Sequence, residues 1–274
     1  MSPEATPPTS RHTFRFGLPS SLGANIARVR ADRLENLLSP QIGKLVQVQI
    51  APSYDALAKD VQEGRLDAVW APPFVCARLE SQNLRVLVRG RRKGASTYRA
   101  ALLARAGSGL TLETLQGKRV AWVDRDSVAG FLLPLALLKG KGLEPAKLFS
   151  QQQFVGSYRA ALEAVLEGKA DVASVFCPPK SAGTGVEDSL EQLLPGKSGA
   201  FELVATTDEA PNDGVCLAAS VSPEAAQALE AAFVGMRQSA DGQHILQEVF
   251  GLDGFEPAPK MGYRALYRVA LSTL

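Results

Sequence analysis

A chain of 274 residues is long enough for two modest domains, each with a core of its own. Its 30 Lys and Arg against 28 Asp and Glu leave a net charge of +2, which gives no drive toward nucleic acid or an anionic membrane. No apolar run is long enough to span a bilayer, so membrane insertion is not expected.

In chain order, residues 1–9 are polar and proline-rich and are expected to form a disordered tail. No basic segment followed by an apolar stretch precedes the first element, so no secretory signal is read. The expected location is cytoplasmic as written, or periplasmic if a native N-terminus has been replaced. Residues 13–18 alternate as a strand, and 20–38 carry Leu22, Ile26, Val29, Leu34, Leu37 and Leu38 at helical spacing, with a stop expected at Pro40. A strand over 45–50 follows. Ser53 then caps a helix ending at Gly64, and the apolar strand 66–71 runs into Pro72-Pro73. The cluster Arg89, Arg91, Arg92, Lys93 reads as a solvated loop.

Residues 98–104 read as a strand and 112–117 as a short helix and turn. The order then repeats as strand 119–123, helix 128–139, strand 148–154, helix 157–167 and strand 171–176. Pro134 removes a backbone donor, so either the first of these helices kinks there or its regular part starts near it. A strand over 214–219 and helices over 223–238, 243–250 and 263–271 complete the chain.

The repetition extends to residues. Ser53-Tyr54-x-Ala56-Leu57 leads to Gly64 and Asp67, and Ser157-Tyr158-x-Ala160-Ala161-Leu162 leads to Gly168 and Asp171, with matching spacing. Each copy ends in a double proline, Pro72-Pro73 or Pro178-Pro179. Two similar α/β units predict an α/β fold of two lobes with a cleft between them. If strands 98–104 and 214–219 cross between them, lobe one is 10–104 plus 214–274 and lobe two is 105–213.

Catalytic signatures are missing. The two histidines, His12 and His244, read as surface residues, and G-x-S-x-G, H-E-x-x-H and G-x-G-x-x-G do not occur. Gly196-Lys197-Ser198 imitates the end of a phosphate loop, but Glu191 stands at its first position and no strand precedes it, so it reads as a turn. Cys76, Cys177 and Cys216 are widely spaced and read as small buried hydrophobes. No catalytic residue, metal or cofactor is expected.

The functional candidate is 124–130, Asp-Arg-Asp-Ser-Val-Ala-Gly, where a strand passes into a helix. Ser127 at the cap, with small residues after it, leaves Val128 and Ala129 N–H groups open at the positive end of a helix; the alternative is an ordinary capped helix. Ser53-Tyr54 and Ser157-Tyr158 begin two more helices at the strand ends where open α/β sheets bind ligands. Tyr54 and Tyr158 either face ligand or staple their helices. Trp70, Phe74 and Tyr98 are an expected aromatic wall, with core packing the alternative for Trp70.

Several stretches resemble the phosphate/phosphite/phosphonate-type substrate-binding proteins of ABC transporters, from about Phe14 to Tyr267. They are Ser53-Tyr54-x-Ala-Leu, Gly64-x-x-Asp67-Ala, Leu115-x-Gly117-Lys-x-Val120-Ala, Asp126-Ser127-x-x-Gly130-Phe-x-x-Pro134, the Gly156–Asp171 run, and Phe250-Gly-x-Asp-Gly254-Phe. The resemblance implies a type II periplasmic-binding-protein-like fold with ligand between the lobes. Its phosphoryl group would be held by Ser127, Val128 and Ala129, with Tyr54, Tyr98, Ser157 and Tyr158 around it, and Asp213 placed where an acid can meet a ligand amine. Val128 and Ala129 lack the hydroxyls usual in the family, Tyr158 replaces a common His, and Phe74 replaces a Tyr. Side-chain donors to a phosphonate are therefore fewer, and backbone donors are expected to dominate.

The expected function is small-anion binding, as a transport receptor or a cytoplasmic ligand sensor. The partners are a small anionic ligand and, if the chain is exported, an ABC transporter permease. Two alternatives are a cytoplasmic enzyme on the same fold acting on a small carboxylate, as in menaquinone-pathway enzymes, and a degenerate domain serving protein contacts.

Overall fold

A computed structural model describes residues 13–19, 24–182, 185–264 and 266. The expected tail, His12, Leu22 and residues 267–271 of the last expected helix lie outside the described residues. The chain forms two compact units. The first comprises the described residues of Met1–Ala71, Asn83–Gly90 and Gly214–Ala258; the second, those of Pro72–Gln82, Arg91–Asp213 and Pro259–Leu274.

The first unit opens with β1 (Phe14–Pro19), α1 (Ala24–Ile42), β2 (Val46–Ala51), α2 (Tyr54–Gln62) and β3 (Ala68–Ala71). The chain then supplies α3 (Pro73–Ser81) to the second unit and β4 (Arg85–Arg91) to the first. The second unit continues with β5 (Thr97–Arg105), β6 (Arg119–Trp122), α4 (Leu133–Gly140), α5 (Pro145–Leu148) and β7 (Gln151–Phe154). It goes on through α6 (Tyr158–Leu166), β8 (Val172–Cys177), α7 (Glu187–Leu193), β9 (Phe201–Thr206) and β10 (Ala210–Pro211). The first is completed by β11 (Gly214–Leu217), α8 (Pro223–Gly235), α9 (Ala240–Ile245) and β12 (Gly254–Pro257).

Each unit has its own sheet. In the first the order is β12-β4-β11-β3-β1-β2, with β1 parallel to both β2 and β3 and β11 antiparallel between β3 and β4. In the second it is β10-β5-β8-β6-β7 with β9 on β5; β6 is parallel to β7 and β8, and β5 is antiparallel to β8. Because β5 pairs with β8 and β9, residues 97–104 belong to the second unit, whereas the sequence reading put them in lobe one.

The cores follow the pattern of apolar positions. In the first unit Phe16, Leu34, Leu38 and Phe233 are fully buried and pack with Phe250 and Phe255. Each such side chain contributes about 1.5–3 kcal/mol by leaving water. In the second, Trp122 is fully buried between the edges of Phe131 and Phe149. Tyr263, also fully buried, ties distant segments of the second unit: its hydroxyl donates to the Asn212 carbonyl at 2.5 Å, and its N–H donates to Glu80 Oε2 at 2.8 Å.

Three local readings change. α1 does not stop at Pro40 but runs through it to Ile42, because a proline this near a helix end costs only one backbone donor. Arg89 and Arg91 lie in β4, whose Val86, Leu87 and Val88 are buried, and not in a solvated loop. Pro73, read only as the end of a strand, begins α3, where its missing N–H is one no helix uses. Pro134 settles the open choice: the regular α4 starts at Leu133, preceded by a π-helical turn over Val128–Leu132.

Candidate functional site

The end of β6 leads into a loop shaped by its own side chains. Asp124 Oδ1 accepts from the Asp126 N–H at 2.9 Å, an Asx turn that delivers Ser127 to the cap position. Ser127 Oγ accepts from the Gly130 N–H at 3.1 Å, and the Ser127 carbonyl accepts from Leu132 at 3.0 Å, which closes the wide π turn. A Cβ on Gly130 would lie 2.5 Å from Val123 Cβ, so only glycine allows this approach. On the inner side the fully buried Ser174 of β8 donates to the Ala129 carbonyl at 2.6 Å. Among the described residues no acceptor takes the Val128 or Ala129 N–H. Two donors are thus left unpaired at the positive end of the turn and of α4 behind it, on residues that are 5% and 1% exposed.

Beside this turn, Ser157 caps α6 by accepting from the Ala160 N–H at 3.1 Å, and Tyr158 is the first helical residue. The Tyr158 hydroxyl lies 3.3 Å from Ser127 Oγ, and its ring meets Phe176 edge to face at 5.2 Å. Phe176 is opposite Ala100 on β5, two residues beyond Tyr98.

A two-residue hairpin joins β4 to β5. Arg92 and Ala95 exchange both backbone hydrogen bonds, and Lys93 (φ 49°) and Gly94 (φ 77°) form its left-handed turn. Asn212 fastens the returning chain to that hairpin, donating its N–H to the Ser96 carbonyl and its Nδ2 to the Ala95 carbonyl, both at 2.9 Å. Next to it Asp213 Oδ2 accepts from Arg92 Nη2 at 2.5 Å. Burial works to lower the Arg92 pKa, but the Asp213 charge and hydrogen bond, aided by Tyr98 and Tyr158, leave it above its ordinary value. Burial pushes the Tyr98 phenol well above its usual range, and Tyr158 and Asp213 add to the shift, so it stays a neutral hydroxyl.

Of the residues singled out from sequence, Tyr98, Ser127, Val128, Ala129, Ser157, Tyr158 and Asp213 all belong to the second unit. Tyr54, half-buried at the start of α2, and Trp70 belong to the first. Trp70 serves packing: it is 5% exposed on a central strand, with its ring edge to face against Phe250 and Phe255. Arg92 was missed, although the Lys93-Gly94 pair between two strand-like runs is the signal of a two-residue hairpin. Among the described residues no group of three or more His, Cys, Asp or Glu is arranged to hold a metal ion, and no helix is long and apolar enough to cross a membrane.

The fold is shared with solved binding proteins. XAC2383 from Xanthomonas citri, bound to chloride ion, matches with a TM-score of 0.79 at 20% identity over 95% of this chain and 97% of that one; its ATP-bound structure gives 0.79 at 19%. PhnD1 from Prochlorococcus marinus in complex with methylphosphonate gives 0.74 at 18% over 96% and 99%. The binding protein component of an ABC phosphonate transporter from Pseudomonas aeruginosa gives 0.71 at 18% over 95% and 86%. These likenesses show a type II periplasmic-binding-protein-like α/β fold. A family model described as "ABC transporter, phosphonate, periplasmic substrate-binding protein" matches residues 16–263, nearly the whole chain. The chain belongs to the family of periplasmic substrate-binding proteins of phosphonate ABC transporters.

Proposed function

We propose that this chain is a non-catalytic receptor that holds a small anion on its second unit, through the Val128 and Ala129 N–H groups and the hydroxyls of Ser127, Tyr158 and Tyr98. The observation that carries this reading is the pair of N–H groups without an acceptor among the described residues, next to the hydrogen-bonded Ser127 and Tyr158 hydroxyls. Such donors solvate negative charge without the cost of reorganising, and the turn is fixed from behind by Ser174. Family membership supports a phosphonate or phosphate-like ligand and a role as the receptor of an ABC transporter in the periplasm. The solved relatives point the same way, since XAC2383 is bound to chloride ion or ATP and PhnD1 to methylphosphonate, all anions. With no hydroxyl on Val128 or Ala129, a carboxylate or a phosphate ester competes with phosphonate for the same donors.

A thermal-shift panel of inorganic phosphate, methylphosphonate, phosphate esters, carboxylates and uncharged analogues tests the reading. A ligand selective for the folded form, at a hundred times its Kd, adds roughly 2.7 kcal/mol, on the order of 5–10 °C for a chain of this size. Anions should stabilise, be recovered chemically unchanged, and lose their effect in Ser127→Pro. Stabilisation by uncharged analogues alone, or turnover of a bound anion, would overturn it.

A further inference from the structure

We propose that Phe176 walls the anion site and sets its preference among substituents: it suits the site to anions carrying an alkyl group over those carrying a hydroxylated one. The inference deepens the anion reading above and rests on it. Strand register brings Phe176 to the turn. β8 runs parallel to β6, so its carboxyl end lies at the sheet edge from which the Asp124–Gly130 turn departs. Side chains two apart on a strand share a face. On that face Ser174 donates to the Ala129 carbonyl at 2.6 Å, and Phe176 stands roughly 6–7 Å further toward the same edge.

A second contact closes the arrangement. Tyr158 meets the Phe176 ring edge to face at 5.2 Å, while its hydroxyl lies 3.3 Å from Ser127 Oγ. Phe176 is thus tied to the turn twice, by its own strand through Ser174 and by Tyr158 through Ser127. Val175 and Cys177 are 0% and 1% exposed, whereas Phe176 between them is only half-buried. Ala100, opposite it on β5, is fully buried and adds only a methyl group. A ring left partly in water gains when an apolar substituent covers it. A ligand hydroxyl in the same place gives up water and finds no partner on the ring. The ring also holds the Tyr158 phenol against Ser127, so it acts on the anionic head as a positioning residue.

Isothermal titration calorimetry on the full chain with propylphosphonate and 2-hydroxyethylphosphonate tests this, because the two differ only in a terminal methyl against a hydroxyl. Circular dichroism checks the fold of each variant. Wild-type protein should favour propylphosphonate by about tenfold, the scale of one buried hydroxyl without a partner. Phe176→Asn should bring that ratio close to one and also weaken methylphosphonate, because Tyr158 loses its support. Phe176→Tyr, which keeps the ring, should narrow the ratio by offering the ligand hydroxyl a partner. Tyr158→Phe should weaken all three phosphonates alike and leave the ratio as it is. A merely structural Phe176 would weaken propylphosphonate and 2-hydroxyethylphosphonate equally. An unchanged ratio in either folded Phe176 variant, or wild-type protein that does not prefer propylphosphonate, overturns the role of Phe176 and leaves the anion site standing. Wild-type protein that binds none of the phosphonates and no inorganic phosphate overturns the anion site itself.

Discussion

In the first unit Ser53 caps α2 at φ −152° and ψ 165°, and in the second Ser157 caps α6 at φ −152° and ψ 156°; each accepts from an alanine N–H at 3.1 Å. Gly64 and Gly168 both turn the chain at φ 70°. Asp67 then receives the Arg15 N–H at 2.7 Å and its guanidinium, and Asp171 receives the Arg119 N–H at 2.8 Å and its guanidinium. In return the Asp67 and Asp171 N–H groups donate to the Arg15 and Arg119 carbonyls, both at 2.8 Å. The same strand–helix–strand joint is therefore built twice, and neither copy needs a ligand to explain its parts. What differs lies outside the joint: the Asp124–Gly130 turn, the Arg92–Ala95 hairpin and the segment ending at Asp213 gather in the second unit alone. Repetition supplied the frame, and the non-repeated loops hold the residues proposed to meet the ligand.

The sharpest way to break that contrast is Gly130→Ala. Its Cβ would meet Val123 Cβ, which no rotamer can move, so about 2–3 kcal/mol of stability should be lost along with methylphosphonate binding. Chemical denaturation and calorimetry would read the two losses; binding left intact would detach the site from this turn. Next come Asp67→Asn and Asp171→Asn. Each pair is partly exposed, and each variant should cost about 1–2 kcal/mol while leaving affinity for methylphosphonate unchanged. A change in affinity from either would mean that the joint is part of the site.

The Asp171 joint has a pH signature. The Arg119 hydrogen bond, opposed by partial burial and aided by the Arg119 N–H and charge, holds the Asp171 carboxyl below its ordinary value. A lowered folded pKa stabilises fully above the unfolded carboxylate value and less as pH falls through the folded one. The stability gap between wild type and Asp171→Asn should thus be complete above about pH 5 and close on acidification. A gap that widens in acid would contradict the pairing. The smallest effects belong to the caps: Ser53→Ala and Ser157→Ala should each cost about 1 kcal/mol, roughly 2–4 °C in Tm. Only Ser157→Ala should also weaken ligand binding, because it loosens the start of the helix that aims Tyr158 at Ser127.

The duplicated joint was legible because its parts are local: a capping serine, a glycine eleven residues on and an aspartate three later. The Ser127 turn could be read for the same reason. Arg15 and Arg119 could not be assigned to those aspartates, since the pairing spans 52 residues and is created by parallel strand register. Arg92 was hidden by its neighbours. In a run of four cations, only strand β4 and the hairpin decide that Arg89 meets Glu256, Lys93 meets Asp188 and Arg92 meets Asp213. Trp70 misled because an aromatic at a strand end reads alike whether its strand is central or at an edge.

The buried Tyr263 has a consequence for how the molecule is made. Its hydroxyl and N–H close a ring of contacts with Asn212 and Glu80, so the second unit acquires this piece only after the last strand of the first has been made. The first unit likewise waits for β11 and β12, which flank β4 in its sheet. Neither unit can finish folding on a growing polypeptide before the other is nearly synthesised, and pairings this far apart in sequence form slowly. The first sheet stays incomplete until β12 is made, and a chain released after β12 but short of Tyr263 would carry a finished first unit and an unfinished second one.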